Sequence, residues 1–227
     1  MENSNIVQIF EKLYKDKDFS ELFQELKDKK DEKSFYFLAK IFMLQGDLNK
    51  AIPLFEKAKD YCEAAKCKFI KKDIFGAKLL LHKEKEDSPL LQWIEFLISL
   101  IEDRVNRLPS FFEVRNFLEV DLSALLDFGN IDFAEKIINN SDYFVQANSE
   151  ANKFFGRVLY NYNFNSLSHL FLDKSFEVFY NDPETHFIKA QCYIVDKNFE
   201  EAKKHLNHCL ECADNYFPAR KLLKEIE

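Results

Sequence analysis

Between Ser34 and Ala58 the chain reads SFYFLAKIFMLQGDLNKAIPLFEKA. Large apolar residues fall at Phe35, Leu38, Phe42, Leu48 and Phe55, at helical spacings on either side of a break at Gly46-Asp47. Small residues stand among them at Ala39, Ala51 and Ala58. The pattern predicts two helices folded back across Gly46-Asp47 that approach closely where the alanines lie. The same pattern returns in three consecutive 34-residue blocks, 115–148, 149–182 and 183–216. The first has Leu118, Leu122 and Leu125, a turn at Gly129-Asn130, then Ile131, Ala134 and Ile138. The second has Phe155-Gly156, Leu159 and Leu172; the third has Ala190, Tyr193, Phe199, Ala202, Leu206 and Cys209.

The first half, 3–114, is less regular. A segment from Asn3 carries Ile6, Ile9, Phe10, Leu13, Phe19, Leu22 and Leu26. Another from Ala58 carries Tyr61, Ala64-Ala65, Ile74, Ala77 and Leu81, and begins only 26 residues after the unit at Glu32. Ser88 and Pro89 then announce a helix as cap and first helical residue. Its core stripe is Leu90, Leu91, Ile94, Leu97, Ile98 and Ile101, with Trp93 and Phe96 off the stripe, so coverage on two sides is expected. Residues 217–227 read as a terminal helix. With no strand-like alternation anywhere, the expected fold is an all-α solenoid of about six or seven helical hairpins, forming one superhelical domain over 1–227.

Composition narrows the function. The chain is 47% hydrophobic with only four glycines and five prolines, enough apolar mass for a large core and few of the breakers that hairpins of strands need. A net charge of −7 with acids and bases interleaved argues against nucleic acid or an anionic membrane surface as partner. The longest apolar run, PLLQWIEFLISLI, is interrupted by Gln92 and Glu95 and is too short to span a bilayer. The start, MENSNIVQIFEKLYKDKD, lacks a basic segment followed by an apolar core. Its five cysteines are therefore expected to be reduced thiols inside the cell, in cytoplasm or nucleus. There is no glycine-rich phosphate loop, no His-Glu-x-x-His and no nucleophile elbow, so no cofactor and no catalysis are expected.

The spacing of small and large residues resembles the tetratricopeptide superfamily, whose units are 34-residue helical hairpins. A narrower resemblance lies in the order of units over about the first 85 residues. VQIFEKLYKDKDFSELFQELK leads EKSFYFLAKIFMLQGDLNKAIPLFEKAK, followed by the compressed YCEAAKCKFIKKDIFGAKLLL. This order is similar to the N-terminal region of the scaffold tetratricopeptide subunits of the anaphase-promoting complex, a ubiquitin ligase of the cell cycle. The resemblance implies a homodimeric scaffold that positions other protein subunits.

Three sites are candidates. The first is a dimer contact: Val7, Phe10 and Tyr14 on the first helix against an apolar groove of Tyr36, Met43, Leu44, Phe69 and Ile70. The second is a peptide groove with Lys153 and Arg157 at the positions where chaperone-binding relatives clamp a terminal carboxylate, flanked by apolar Phe187, Ile194 and Val195. The preceding block has Glu119 and Ser123 at those positions, Glu119 would repel an acidic tail, and the clamp's asparagines are missing. The third is HLNHCLEC, where His205, Cys209 and Cys212 share a helix face and offer ligands to zinc, giving a metal or redox protein as an alternative. Against it, Cys209 fills a slot that packing reserves for a compact residue.

Overall fold

The computed structural model describes residues 19–226, and among them are fourteen α-helices and no strand. The expected all-α fold of helical hairpins is the architecture observed within each of two units. The chain divides into two compact units at the Ile98–Ser99 step. In the first lie α1 (Ser20–Leu26), α2 (Glu32–Leu44), α3 (Leu48–Lys57), α4 (Tyr61–Ile70) and α5 (Ile74–Leu81). The division falls within α6 (Pro89–Ile101). The second holds α7 (Phe111–Asp127), α8 (Ile131–Asn139), a short α9 (Ser141–Ala147), α10 (Ala151–Asn161) and α11 (Asn165–Val178). It continues with α12 (Pro183–Val195), α13 (Phe199–Cys212) and α14 (Phe217–Ile226).

Small residues sit where the pattern places the crossings. Ala39, Ala51, Ala64, Ala65, Ala77, Ala190 and Ala202 are all fully buried, and Ala134 nearly so, while Ala58 is only half-buried. Trp93, Phe96 and Leu100 are as buried as Ile94, Leu97 and Ile98, so α6 is covered on two sides. Helix α4 is buried almost all round (Cys62, Ala64, Ala65, Lys66, Cys67, Phe69, Ile70), which is why its sequence shows no single apolar stripe. The block from Arg115 departs from the simple pattern: its first helix starts earlier, at Phe111, and α9 is inserted before the next hairpin.

One joint recurs. Among the described residues seven have left-handed backbones: Gly46, Lys59, Lys72, Asp103, Gly129, Asn163 and Lys197. Each is followed by a residue whose N–H donates to the carbonyl five residues back, as Asp47 does to Phe42 at 2.8 Å, Asp60 to Phe55 at 3.0 Å and Asn198 to Tyr193 at 2.8 Å. This closes the orphan carbonyls of the ending helix. In several joints that same residue caps the next helix: Asp47, Asp60 and Asp73 accept from Lys50, Glu63 and Gly76 N–H groups. The joints at 129, 163 and 197 are 34 residues apart; those at 46, 59 and 72 are 13 apart, which is how the first unit compresses its hairpins.

Candidate functional site

Val7, Phe10 and Tyr14, expected from the sequence on a helix at the start of the chain, lie outside the described residues. Of the groove expected opposite them, Leu44 is 40% exposed and Met43 half-buried on α2. Tyr36 is half-buried, with its ring edge-on to Phe37 and Phe55 and the Lys40 ammonium 5.4 Å over its face. Lys40 is held there by an ion pair to Glu63 on α4. Phe69 and Ile70 are 2% and 4% exposed and belong to the core of α4, so they do not line a groove. The reason is compression: in a hairpin of ten- and eight-residue helices, every turn of α4 has a neighbour.

In the second unit, α10 presents Lys153 and Arg157 between α7 and α12. The Arg157 guanidinium donates from Nε and Nη2 to the Glu119 carboxylate (2.5 and 2.8 Å) and from Nη1 to Glu184. Lys153 Nζ lies 2.9 Å from Glu150, 3.0 Å from Asp182 and 3.7 Å from Glu184. Burial alone would lower both cations' pKa values, yet the surrounding carboxylates raise them. The two cations expected to clamp a peptide carboxylate are thus already paired inside the protein, four acids around two bases. A tail carboxylate would enter against those acids. Phe187 packs its ring 5.3 Å from Tyr216, and Ile194 is half-buried beside exposed Val195.

The network acts as a rivet between consecutive hairpins. Arg157→Ala leaves Glu119 and Glu184 facing one another across a half-buried gap. The expected loss is about 1–2 kcal/mol, above a surface pair because the bond is bidentate and below a fully buried one. A urea midpoint for Arg157→Ala equal to that of the wild type would refute this role.

The zinc candidate separates in three dimensions. Cys209 is fully buried and its thiol is pushed up to about 11 by burial, whereas Cys212 is exposed. Among the described residues no group of three or more His, Cys, Asp or Glu side chains is arranged to hold a metal ion. His205 instead turns to His186 of α12, with the two Nδ1 atoms 2.9 Å apart, one ring donating and the other accepting. Around this pair lies a ladder of rings: His169 on Tyr193 (4.7 Å), Tyr193 on His205 (5.4 Å), and Phe176 and Tyr180 on His186 (4.6 and 5.1 Å). His208 stacks at 5.3 Å. The sequence did hold a signal for this cluster. His186 and Lys189 occupy the fourth and seventh positions of the last block, which the unit starting at Glu32 fills with Phe35 and Leu38, and both are buried. Lys189 is satisfied by Asp173 and the His169 carbonyl.

No helix among the described residues is long and apolar enough to cross a membrane. The tetratricopeptide repeat model matches residues 32–64 and 183–216. Among solved structures, the chain is similar to YrrB, described as a TPR protein with an unusual peptide-binding site. Identity is 15% over 91% of this chain and 97% of that one, with a TM-score of 0.39. It is also similar to the APC/C hetero-tetramer Cut9–Hcn1, at 17% identity over 88% of this chain and 37% of that one, with a TM-score of 0.40. No curated protein sequence matches this chain.

Proposed function

For a chain that carries tetratricopeptide repeats at residues 32–64 and 183–216, we propose the role of a non-catalytic scaffold that pairs with a second copy of itself and positions other proteins in a larger assembly. The observation that carries the reading is the apolar surface left over once the core is filled. On α2, Leu44 is exposed and Tyr36 and Met43 are half-covered, although Phe37, Leu38 and Ile41 already make the core contacts with α1. Surface of this kind on a helical repeat accepts a partner helix or extended segment. The sequence from Asn3 supplies a match when read as a helix, since Val7 and Tyr14 add a second apolar line beside the stripe of Ile6, Ile9, Phe10 and Leu13. A two-fold pairing makes the contact twice and closes without polymerising. The assembly we assign is the anaphase-promoting complex, on the order of units over about the first 85 residues.

Light scattering at micromolar concentration tests the pairing. The wild type is expected at twice the chain mass, with about 2,000 Å² or more buried in the interface. Met43→Glu/Leu44→Glu and Val7→Asp/Tyr14→Asp are expected at the monomer mass. A monomeric wild type ends this reading.

A further inference from the structure

The second unit carries a separate apolar surface at its hairpin turns. The repeat pattern places Ile131 and Phe199, the first residues of α8 and α13, in slots meant for the core, as Leu48 is in α3. Leu48 is 3% exposed, but Ile131 and Phe199 are 42% and 45% exposed. Beside them, Phe128, Phe164, Leu167 and Val195 are 38%, 40%, 40% and 57% exposed. The three turns that hold these residues adjoin. Tyr162 at the end of α10 donates its hydroxyl to the Ser123 carbonyl at 3.0 Å and to Asp127 at 2.5 Å, tying the second turn to the first. Asn165 at the start of α11 donates to the Cys192 carbonyl at 3.3 Å, and His169 lies 2.9 Å from Asp196, tying the second to the third. Each turn is also fixed by the left-handed joint at 129, 163 or 197. A rigid apolar edge therefore crosses three hairpins.

Its charge says what it fits. Segments 127–132, 161–167 and 195–201 carry five carboxylates, Asp127, Asp132, Asp196, Glu200 and Glu201, against Lys197 within them and Lys204 beside them, which pairs with Glu201, so the rim stays net acidic. A rim of this sign repels an anionic lipid surface and disfavours a second copy of an acidic chain, and it attracts lysine or arginine. We propose that this edge binds a basic amphipathic helix of a partner protein, its apolar face on Phe164, Val195 and Phe199 and its cations over the acidic rim. The inference deepens the scaffold reading and rests on it, but it concerns the second unit and is independent of pairing through α2.

The test is fluorescence anisotropy with a labelled five-turn helix of about 18 residues, leucine on one face and lysine on the other. Its controls are a scrambled peptide of the same composition and a version with glutamate for lysine. The protein is the full chain, as wild type, as Phe164→Ser/Val195→Ser/Phe199→Ser and as the single variant Val195→Lys. All three positions are exposed, and serine at 164 adds a cap to α11, so melting temperatures are expected to hold. Val195→Lys, which removes an apolar contact and repels a cationic peptide, serves if the triple variant does not fold, and unchanged binding by it overturns the proposal as well. The amphipathic lysine peptide is expected to bind the wild type, more weakly in high salt, and about tenfold less tightly to the triple variant; the controls are expected to bind about tenfold less tightly than that peptide. Equal binding of all three peptides, unchanged binding by the triple variant, or a wild-type dimer that the triple variant turns monomeric would each overturn the proposal.

Discussion

Gly156→Leu is expected to cost about 3 kcal/mol or more, because it adds a side chain where two helices already touch. Gly156 stands where α10 crosses α11. A Cβ added there meets Leu172 Cδ2 and Cγ at 2.7 Å, inside the distance real carbons keep. Leu172 cannot retreat, because it is fully buried against Ile188 and Cys192. The backbone cannot retreat either, since Ser168 Oγ donates to the Gly156 carbonyl at 2.8 Å from within the same crossing. A leucine must therefore push two helices apart in a closely packed interior. A thermal melt of Gly156→Leu that overlays the wild type would show that the crossing is looser than these distances imply.

The second large effect is with acid. Burial, the first cause in each case, holds His186 and His205 below the ordinary imidazole pKa of 6.5, His205 down to about 4. The unfolded chain takes up these protons near pH 6.5, while the folded chain takes them up only at lower pH, His205 near 4. Stability from the pair is therefore complete above pH 6.5 and is lost as pH falls from 6.5 toward 4. The groups that face the pair work in both directions. Lys189 and His208 disfavour the imidazolium, and Asp182, Glu201 and Glu211 favour it less strongly than burial opposes it. For each refused proton the folded-to-unfolded ratio falls by up to about tenfold per pH unit. The melting temperature is expected to drop between pH 6.5 and 5, above the range where ordinary carboxylates titrate. His186→Phe/His205→Phe keeps the rings but not the protons and is expected to flatten that slope. An equal slope in the double variant would place the acid sensitivity elsewhere.

Much of the fold is legible in the sequence because close crossings restrict residue size. Only small side chains fit at Ala39, Ala51 and Ala202, and glycine at 46 and 129 marks joints that need a left-handed backbone. The equivalent joints at Lys59, Lys72 and Lys197 are invisible by the same rule, because lysine tolerates that conformation only at a local cost that the surrounding bonds offset. The candidate sites are less legible, for a physical reason. Position in a repeat tells which way a residue points but not who arrives opposite. Lys153 and Arg157 are readable as cations in the groove, yet Lys153 is engaged by Glu150 and Asp182 in loops before helices, and Arg157 by Glu119 and Glu184 on the two flanking helices. Phe69 and Ile70 followed the groove pattern and are core, since the compressed hairpin leaves α4 no free face.

The left-handed joints also bear on how such a chain can grow. Each joint is closed by bonds among about six consecutive residues and makes no demand on the length of helix between it and the next. A duplication running from one joint to the following one therefore carries two ends that already fit, whether it copies a single helix, as the 13-residue steps at 46, 59 and 72 would, or a whole hairpin, as the 34-residue steps at 129, 163 and 197 would. In that sense the heritable module is the helix with its hinge. Arrays of unequal hairpins, such as this one, can then arise by slippage without passing through a broken intermediate.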